Sequence, residues 1–389
     1  MDQQGRIGEY ITCRTGNETY RAYVPRLLPP EPALCMDKLY PLLDQATAEL
    51  GRLDGMSQIL PDPSLFLYMY VRKEALLSSQ IEGTQSSLSD LLLFELDALP
   101  GVPMDDTTEV SCYVNAMDYG LERLTTLPLS LRLIREIHAR LMANGRGNTK
   151  MPGEFRTSQN WIGGSRPGNA RFVPPPPERL MESLGAFELF LHDEKVHLPV
   201  LIKAALAHVQ FETIHPFLDG NGRLGRLLIT FMLCEQGILK RPMLYLSLYL
   251  KTHRDTYYQH LQSVRETGNW EDWIAFFLTG VAETARQATD ALQNILRCFA
   301  EDRALIEHSG KSTAAMLKIY AFMQHHPIVN THRIRSATPL SLPTILRSLH
   351  GLEALGIVKE VTGKERHKLF VYQRYLDILS DGTEPLPHS

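Results

Sequence analysis

Twelve consecutive residues, HPFLDGNGRLGR at 215–226, place a base, an acid, small turn-forming residues and two guanidinium groups between two apolar runs, FETI and LLITFMLCEQ. Gly220, Asn221 and Gly222 stand where a helical apolar pattern begins. Small residues there let successive backbone N–H groups converge into a nest, and the helix N-terminus adds positive potential, so a phosphate fits. Arg223 and Arg226, three positions apart in the first turn, project on neighbouring lines toward further phosphates of one ligand, which points to a polyphosphate. Asp219 is an anion among groups that select anions. It makes sense as the ligand of a divalent cation shared with the phosphates, since magnesium binds through one carboxylate plus phosphate oxygens. His215, an imidazole with an ordinary pKa of about 6.5, is the natural base for drawing a proton from a hydroxyl nucleophile. Phe217, after Pro216, reads as a buried anchor that keeps the loop rigid.

A second stretch, SSQIEG at 78–83, closes a helical pattern whose apolar stripe includes Leu65, Tyr68, Met69 and Leu76. Taken alone, Glu82 is a surface carboxylate and Gly83 a C-cap. A glutamate in the last turn of a helix conflicts mildly with the macrodipole, which invites a functional reading, and Ser78 and Glu82 share one helix face.

The elements that must position these residues follow from periodicity. Residues 1 to about 35 carry a strand-like TYRAYV and then PRLLPPEPAL, whose prolines favour extended backbone, together a clasp on a larger body. From about 36 to 145, LYPLLDQATAEL, SLFLYMYVRKEALLSSQ, SLSDLLLFEL and SLRLIREIHARLM repeat apolar residues every three or four positions, with serines and acidic residues near the starts as caps. Between 151 and 178 the period vanishes into a glycine- and proline-rich stretch with β-formers around Trp161 and Phe172, predicting a hairpin or flap. Helical periodicity returns from about 179 to 305. From about 312 the order is helix (AAMLKIYAFMQHH), short helix (THRIRSA), longer helix (LPTILRSLHGLEALG), then strand, turn and strand (IVKEVTGKERHKLFVY), which is the order of a winged helix-turn-helix.

At 389 residues the chain has room for two to three modules. With 44% hydrophobic and 22% charged residues, it has the balance of a globular protein, not of a disordered or fibrous one. A net charge of -4 argues against a nucleic-acid protein defined by global basicity. The five cysteines, Cys13, Cys35, Cys112, Cys234 and Cys298, are scattered with no CxxC pair, which fits reduced thiols better than disulfides or a zinc site. No basic-then-apolar leader pattern opens the chain and no stretch reaches the roughly 18 apolar residues of a membrane span, so the expected location is cytoplasmic.

The run at 215–226 resembles the signature of the Fic family, H-x-F-x-[DE]-G-N-G-R-x-x-R, with every fixed position met. The likeness extends further. PGEFR at 152–156 with the WIGG and VPP pieces is similar to the family's β-hairpin flap, which covers the nucleotide and aligns the target segment by strand addition. YVPRLLPP and SSQIEGTQSSL resemble Fic proteins with an extra N-terminal helical region, and TYYQHLQSVRETGNWEDWIAFFL their later helices. About residues 20 to 375 are covered. The resemblance implies a mainly α fold: a Fic-type helical bundle with a β-hairpin flap, plus the C-terminal winged helix-turn-helix. It divides the chain into an N-terminal helical region with an inhibitory motif (1–110), a catalytic core (111–305) and the winged module (312–380).

What the resemblance implies chemically is protein adenylyl transfer. His215 would deprotonate a Ser, Thr or Tyr hydroxyl of a target protein, or of the chain itself, for attack on the α-phosphorus of ATP. Asp219 would carry Mg²⁺; Gly220, Asn221 and Gly222 would cradle the phosphates, and Arg223 and Arg226 would hold the β- and γ-phosphates, with Leu224 and Gly225 carried in the same ATP-binding run. In the flap, Ile162, Gly163, Gly164 and Ser165 occupy nucleotide-contacting positions, or form only a turn. Tyr257 and Tyr258 either wall the adenine or belong to the core.

SSQIEG resembles the family's [ST]-x-x-x-E-[GN] inhibitory motif, with Ser78, Glu82 and Gly83 at its fixed positions. By that likeness Glu82 pairs with Arg226 where the γ-phosphate would bind, and the enzyme idles. Some relatives use the same glutamate to remove AMP, and others transfer phosphate or phosphocholine. The C-terminal module carries Arg333, Arg335, Arg347, Lys359, Lys364, Arg366 and Lys368. Its helix at 342–354 has few polar side chains for base edges, so a docking or homodimer surface is preferred to DNA binding.

Overall fold

The structure, a computed structural model, describes residues 4–58, 60, 62–96, 104–145, 147–310, 313–363 and 368–386. Lys364 and Arg366 of the expected wing lie outside the described residues. The chain is mainly α. It opens on an antiparallel hairpin, β1 (Glu9–Thr15) and β2 (Glu18–Val24), joined at Gly16, whose φ of 59° the tight turn requires. TYRAYV is the expected strand; EYITCRT was not foreseen, because its side chains are mostly exposed and show no apolar alternation.

Five helices follow: α1 (Tyr40–Gln58), α2 (Pro63–Ile81), α3 (Leu88–Phe94), α4 (Met104–Leu124) and α5 (Leu131–Leu141). Three of them start on the expected caps. Asp62 accepts from the Ser64 N–H before α2, Ser87 and Asp90 form a reciprocal capping box on α3, and Ser130 accepts from the Leu133 N–H of α5. The stretch 151–176 holds one β-bridge, Ile162 to Phe172, instead of paired strands. The run Pro174–Pro177 explains this, since four residues without an N–H cannot donate to a ladder.

Helices α6 (Pro177–His192), α7 (Val200–Ile214), α8 (Asn221–Glu235), α9 (Ser247–Thr252), α10 (Arg254–Thr267) and α11 (Trp270–His308) complete the body. Nearly all of α7 and α8 is buried, as their apolar residues on every face demand. Helix α11, 39 residues or roughly 58 Å long, packs along α1 and α7 and carries the chain to its C-terminal elements. Those are α12 (Thr313–His325), β3 (Ile328–Asn330), α13 (Thr331–Ala337), α14 (Leu342–Ala354), β4 (Lys359–Glu360), β5 (Leu369–Val371) and α15 (Gln373–Ser380), with an antiparallel sheet in the order β3-β5-β4. One continuous hydrophobic core runs from Leu39 to Leu379, so these last elements share their packing with α2 and α11. Among the described residues no helix is long and apolar enough to cross a membrane.

Candidate active site

His215 caps the end of α7 and Asn221 begins α8, so the motif is a six-residue turn between two buried helices followed by the first six residues of α8. His215 adopts left-handed backbone, φ 49° and ψ 61°, an arrangement shared by only one other non-glycine residue, Met151, among the described residues. That conformation costs roughly 1–2 kcal/mol for an L-residue and persists where surrounding contacts over-determine it. Here they do. The His215 N–H donates to Phe211 O at 2.9 Å, and its carbonyl accepts from Arg156 Nε at 2.9 Å and Asn160 Nδ2 at 3.1 Å. Arg156 is buried without a carboxylate partner among the described residues and spends its guanidinium on carbonyls: His215, Ser158, Pro175 and Ile214.

Further along the turn, Asn221 folds its carboxamide back on Phe217, accepting from the Phe217 N–H and donating to the Phe217 carbonyl. The Phe217 ring, fully buried, stacks on His138 with centroids 3.7 Å apart. His138 Nδ1 accepts the Gly153 N–H at 2.8 Å, which leaves the proton on Nε2 to be donated to the Asp219 carbonyl at 3.0 Å. Burial pushes His138 down to about 4, so it is a neutral crosslink between α5, the flap base and the motif turn.

Gly220 is the N-cap of α8, with φ 76°, and the helix N-terminus above it faces a carboxylate of the same chain. A Cβ on Gly222 would lie 2.3 Å from Glu82 Oε1, so Glu82 rests directly against the glycine nest. The same oxygen accepts from Arg226 Nη2 at 2.7 Å. Ser78 completes the grip, its hydroxyl and carbonyl accepting from Arg226 Nε and Nη2 at 2.8 and 2.9 Å. Burial raises the Glu82 pKa, but the Arg226 charge and hydrogen bond outweigh it and hold the carboxyl below the usual range, so Glu82 is ionised. Arg223 is buried within 3.4 Å of Glu109 and 3.8 Å of Asp219. The Asp219 side chain is 44% exposed, with one oxygen accepting the Gly220 N–H at 2.6 Å.

Two cavities meet at His215, Glu82 and Gly222. One, of about 320 Å³, is bounded by Asp219, Gly220, Asn221 and Arg223. The other, of about 590 Å³, opens between Ile162, Gly163, Arg226, Tyr258 and Arg265. Burial, then the guanidinium groups of Arg265 and Arg156, push His215 down to about 3, so it is a neutral imidazole able to accept a proton, and its Nδ1 has no hydrogen-bond partner among the described residues. Tyr257 is core, 1% exposed with its hydroxyl bonded to His208 at 2.8 Å, while half-buried Tyr258 leans on it. Leu224 and Gly225 are buried and serve packing: Gly225 admits the Glu212 carboxyl, which would lie 2.3 Å from a Cβ there. Gly164 and Ser165 sit at the exposed flap tip, closed by Asn169, whose Oδ1 accepts from Ser165 and Arg166 N–H groups.

Two family models match this chain: the Fic/DOC family N-terminal region over residues 40–122 and the Fic/DOC family over residues 128–233. The chain thus carries a Fic domain with a Fic N-terminal segment before it. Its curated relatives include the protein adenylyltransferases Fic of Aedes aegypti, 35% identical over 201 residues, and of Culex quinquefasciatus, 33% identical over 201 residues. Each match covers 50% of this chain and 37% of the relative, so the chain spans little more than a third of the length of these relatives. A crystal structure of a Fic family protein from Desulfovibrio desulfuricans superposes with a TM-score of 0.54 at 18% identity, covering 85% of this chain and 96% of that one, which is likeness of fold.

The Fic N-terminal segment thus supplies Ser78, Glu82 and Gly83, the Fic segment supplies His215 to Arg226, and the two meet at the Glu82–Arg226 pair. Four residues of the Fic site escaped the sequence reading: His138, Arg156, Asn160 and Glu212. Glu212, one turn before His215, is 6% exposed with Oε1 unpartnered among the described residues, and burial pushes it up to about 7. The available signals were weak: a histidine on the apolar face of an amphipathic helix, and an arginine inside PGEFR.

Proposed function

We propose that this protein transfers AMP from ATP to a serine, threonine or tyrosine hydroxyl of a target protein, itself included, and that Glu82 holds it idle. The observation that carries this reading is the Glu82 carboxylate, paired with Arg226 over the Gly222 nest, in the same cavities as a neutral His215. An anion already occupies the place where an anionic ligand would bind. The name of the curated relatives agrees with the reading.

In the proposed reaction the target hydroxyl gives its proton to His215 and its oxygen attacks the α-phosphorus; the bond from that phosphorus to the bridging oxygen breaks, and pyrophosphate leaves. The N–H groups opening α8 and the Arg223 and Arg226 guanidinium groups hold the phosphates, so most of the rate comes from positioning and charge stabilisation. Asp219 fits a Mg²⁺ role: its carboxylate is half exposed at the phosphate end and its carbonyl is pinned by His138. Among the described residues no three metal-ligating side chains cluster, which suits an ion taking its other ligands from phosphate and water. Such an ion would neutralise phosphate charge. With labelled ATP, Glu82→Gly should raise transfer about 10- to 100-fold, the value of one charged hydrogen bond at the competing site. An unchanged rate sinks the idling role, and absence of label in both proteins sinks AMP transfer.

Glu82 shares a cavity with His215, which supports removal of AMP by a water held on Glu82 as a second activity; incubating an AMP-modified target with the parent chain tests it. We infer a winged helix-turn-helix at 312–380 from the order of α12 to β5 and the three-stranded sheet. Its α14 buries Ile345, Leu349 and Leu352 and leaves Leu342, Pro343, Arg347, His350 and Glu353 exposed. One arginine beside an acid and apolar residues favours docking to protein over reading base edges. A mobility-shift assay at stated salt, showing no retardation, is the expected result.

A further inference from the structure

Beyond α15 the chain runs back over the half of α2 that carries Glu82. Three buried side chains donate to the backbone of this tail. Lys73 Nζ, from α2, reaches the Asp381 carbonyl at 2.7 Å; Gln80 Nε2, also from α2, reaches the Thr383 carbonyl at 2.8 Å; Lys251 Nζ, from α9, reaches the Gly382 carbonyl at 3.1 Å and the Glu384 carbonyl as well. Neither lysine makes an ion pair among the described residues, so the tail's carbonyls are what satisfy these donors. A buried donor without a partner is costly, and α2 cannot keep this packing if the tail leaves.

Gln80 matters most. Its second N–H bond goes to the Ser86 carbonyl at 2.9 Å, in the turn after α2, while its Oε1 finds no partner among the described residues. The residue is therefore held for its two donors, and one carboxamide ties the tail to the turn that follows Glu82. Two residues away, Glu82 caps the helix with its N–H on Ser79.

We propose that residues 381–384 are a latch that positions Glu82 on Arg226, with Gln80 as the positioning residue that transmits it. This rests on the idling role proposed for Glu82 and supplies its regulation: displacing the tail frees the last turn of α2, and Glu82 withdraws from Arg226 and Gly222. The C-terminal module, whose α15 leads straight into the tail, then becomes the handle by which a docked partner opens the nucleotide site.

Two variants of the full chain break the latch from opposite sides. Gly382 has φ 74° and a Cβ there would meet Leu248 Cδ1 at 2.7 Å, so Gly382→Val dislodges the tail without altering α2; Gln80→Leu removes both donors without altering the tail. Each should raise labelled AMP transfer about three- to tenfold, and neither should add to Glu82→Gly. Amide exchange over 79–86 should quicken in both. A merely structural role predicts an unchanged or lower rate in both backgrounds, and that result overturns the latch, as does unchanged exchange over 79–86 while 381–384 exchanges freely. If Glu82→Gly itself transfers no faster than the parent, the idling role fails first and takes the latch's regulatory meaning with it, whatever the exchange shows.

Discussion

The motif turn and the flap face each other across one cavity and are built in opposite ways. From His215 to Asn221 the turn is tied by buried side chains that reach it from elsewhere: Arg156, Asn160 and His138 hold the His215, Phe217 and Asp219 carbonyls, and the Phe217 ring is clamped by stacking. Across from it, the flap between Trp161 and Phe172 has a single bridge and an exposed tip closed on itself through Asn169. Its base is better braced, since the Tyr23 N–H donates to Val173 and Tyr20, Ala22 and Val173 form a small cluster. A rigid, prepaid turn suits groups that must meet a transition state within a fraction of an ångström. The flap tip is held from outside by Glu18 of β2, which accepts from the Gly168 N–H and pairs with the largely exposed Arg166, a contact that solvent screens.

The largest effect should come from the turn. His215→Ala removes the proposed base and should lower AMP transfer by about a hundred- to ten-thousand-fold in either the parent or the Glu82→Gly background, with folding intact by circular dichroism. Survival of transfer in that variant would show that the turn's rigidity serves something other than the base. Next, His138→Ala loses a ring stack and two hydrogen bonds and should destabilise the protein by about 2–4 kcal/mol, while His138→Phe keeps the stack and should recover part of that stability but not kcat. Equal kcat for His138→Phe and the parent would mean that the Asp219 carbonyl needs no anchoring.

Glu212 sharpens the contrast through pH. It is an acid whose folded pKa is raised to about 7 by burial, so the stability it contributes is fully present below its unfolded value of about 4.3 and is lost as pH rises through about 7. Glu212→Gln should therefore gain about 1–4 °C in Tm over the parent as pH climbs across that window, read by calorimetry. A constant difference in Tm would place the Glu212 carboxyl outside the titrating set. Glu82 runs the other way, its depressed pKa making the Arg226 pair fail only as pH falls below the usual carboxylate range, so neutral pH changes do not open the site. The smallest effect belongs to the flap: Asn169→Ala should cost under about 1 kcal/mol and raise KM a few-fold with kcat nearly kept. A large stability loss there would mean the tip is as prepaid as the turn.

Much of this was legible in the order of residues. A helix N-terminal nest and its arginines are consecutive because a turn and the first helical turn are made of neighbours, so 215–226 could be read directly; the helix end at SSQIEG was legible too, but the cap is Glu82 and not Gly83, which follows it with φ 102°. The flap's β-formers suggested a hairpin, but the proline run leaves only the Ile162–Phe172 bridge. Strands β1 and β3 and helix α15 were not foreseen, being exposed, short, or defined by partners far away, while α4 lies inside the helical stretch expected over about 36–145 without having been singled out. His138 and Arg156 looked like one more residue of a helix and of a turn, because what gives them purpose is a backbone N–H and carbonyls 15 to 81 positions distant.

The sequence alone therefore determined the chemistry on offer: an imidazole, a carboxylate, small glycine-rich turn residues and two guanidinium groups within twelve positions, and a second carboxylate at a helix end. Tertiary structure decided how they are set. Only packing brings Glu82 within 2.7 Å of Arg226 across 144 positions, aligns a neutral His138 under the turn, and lays Thr383 on Gln80 across 303. Hydrogen bonds at such separations are satisfied only after the core between them has formed, and nothing in the local order of residues records which donors the fold will bury together.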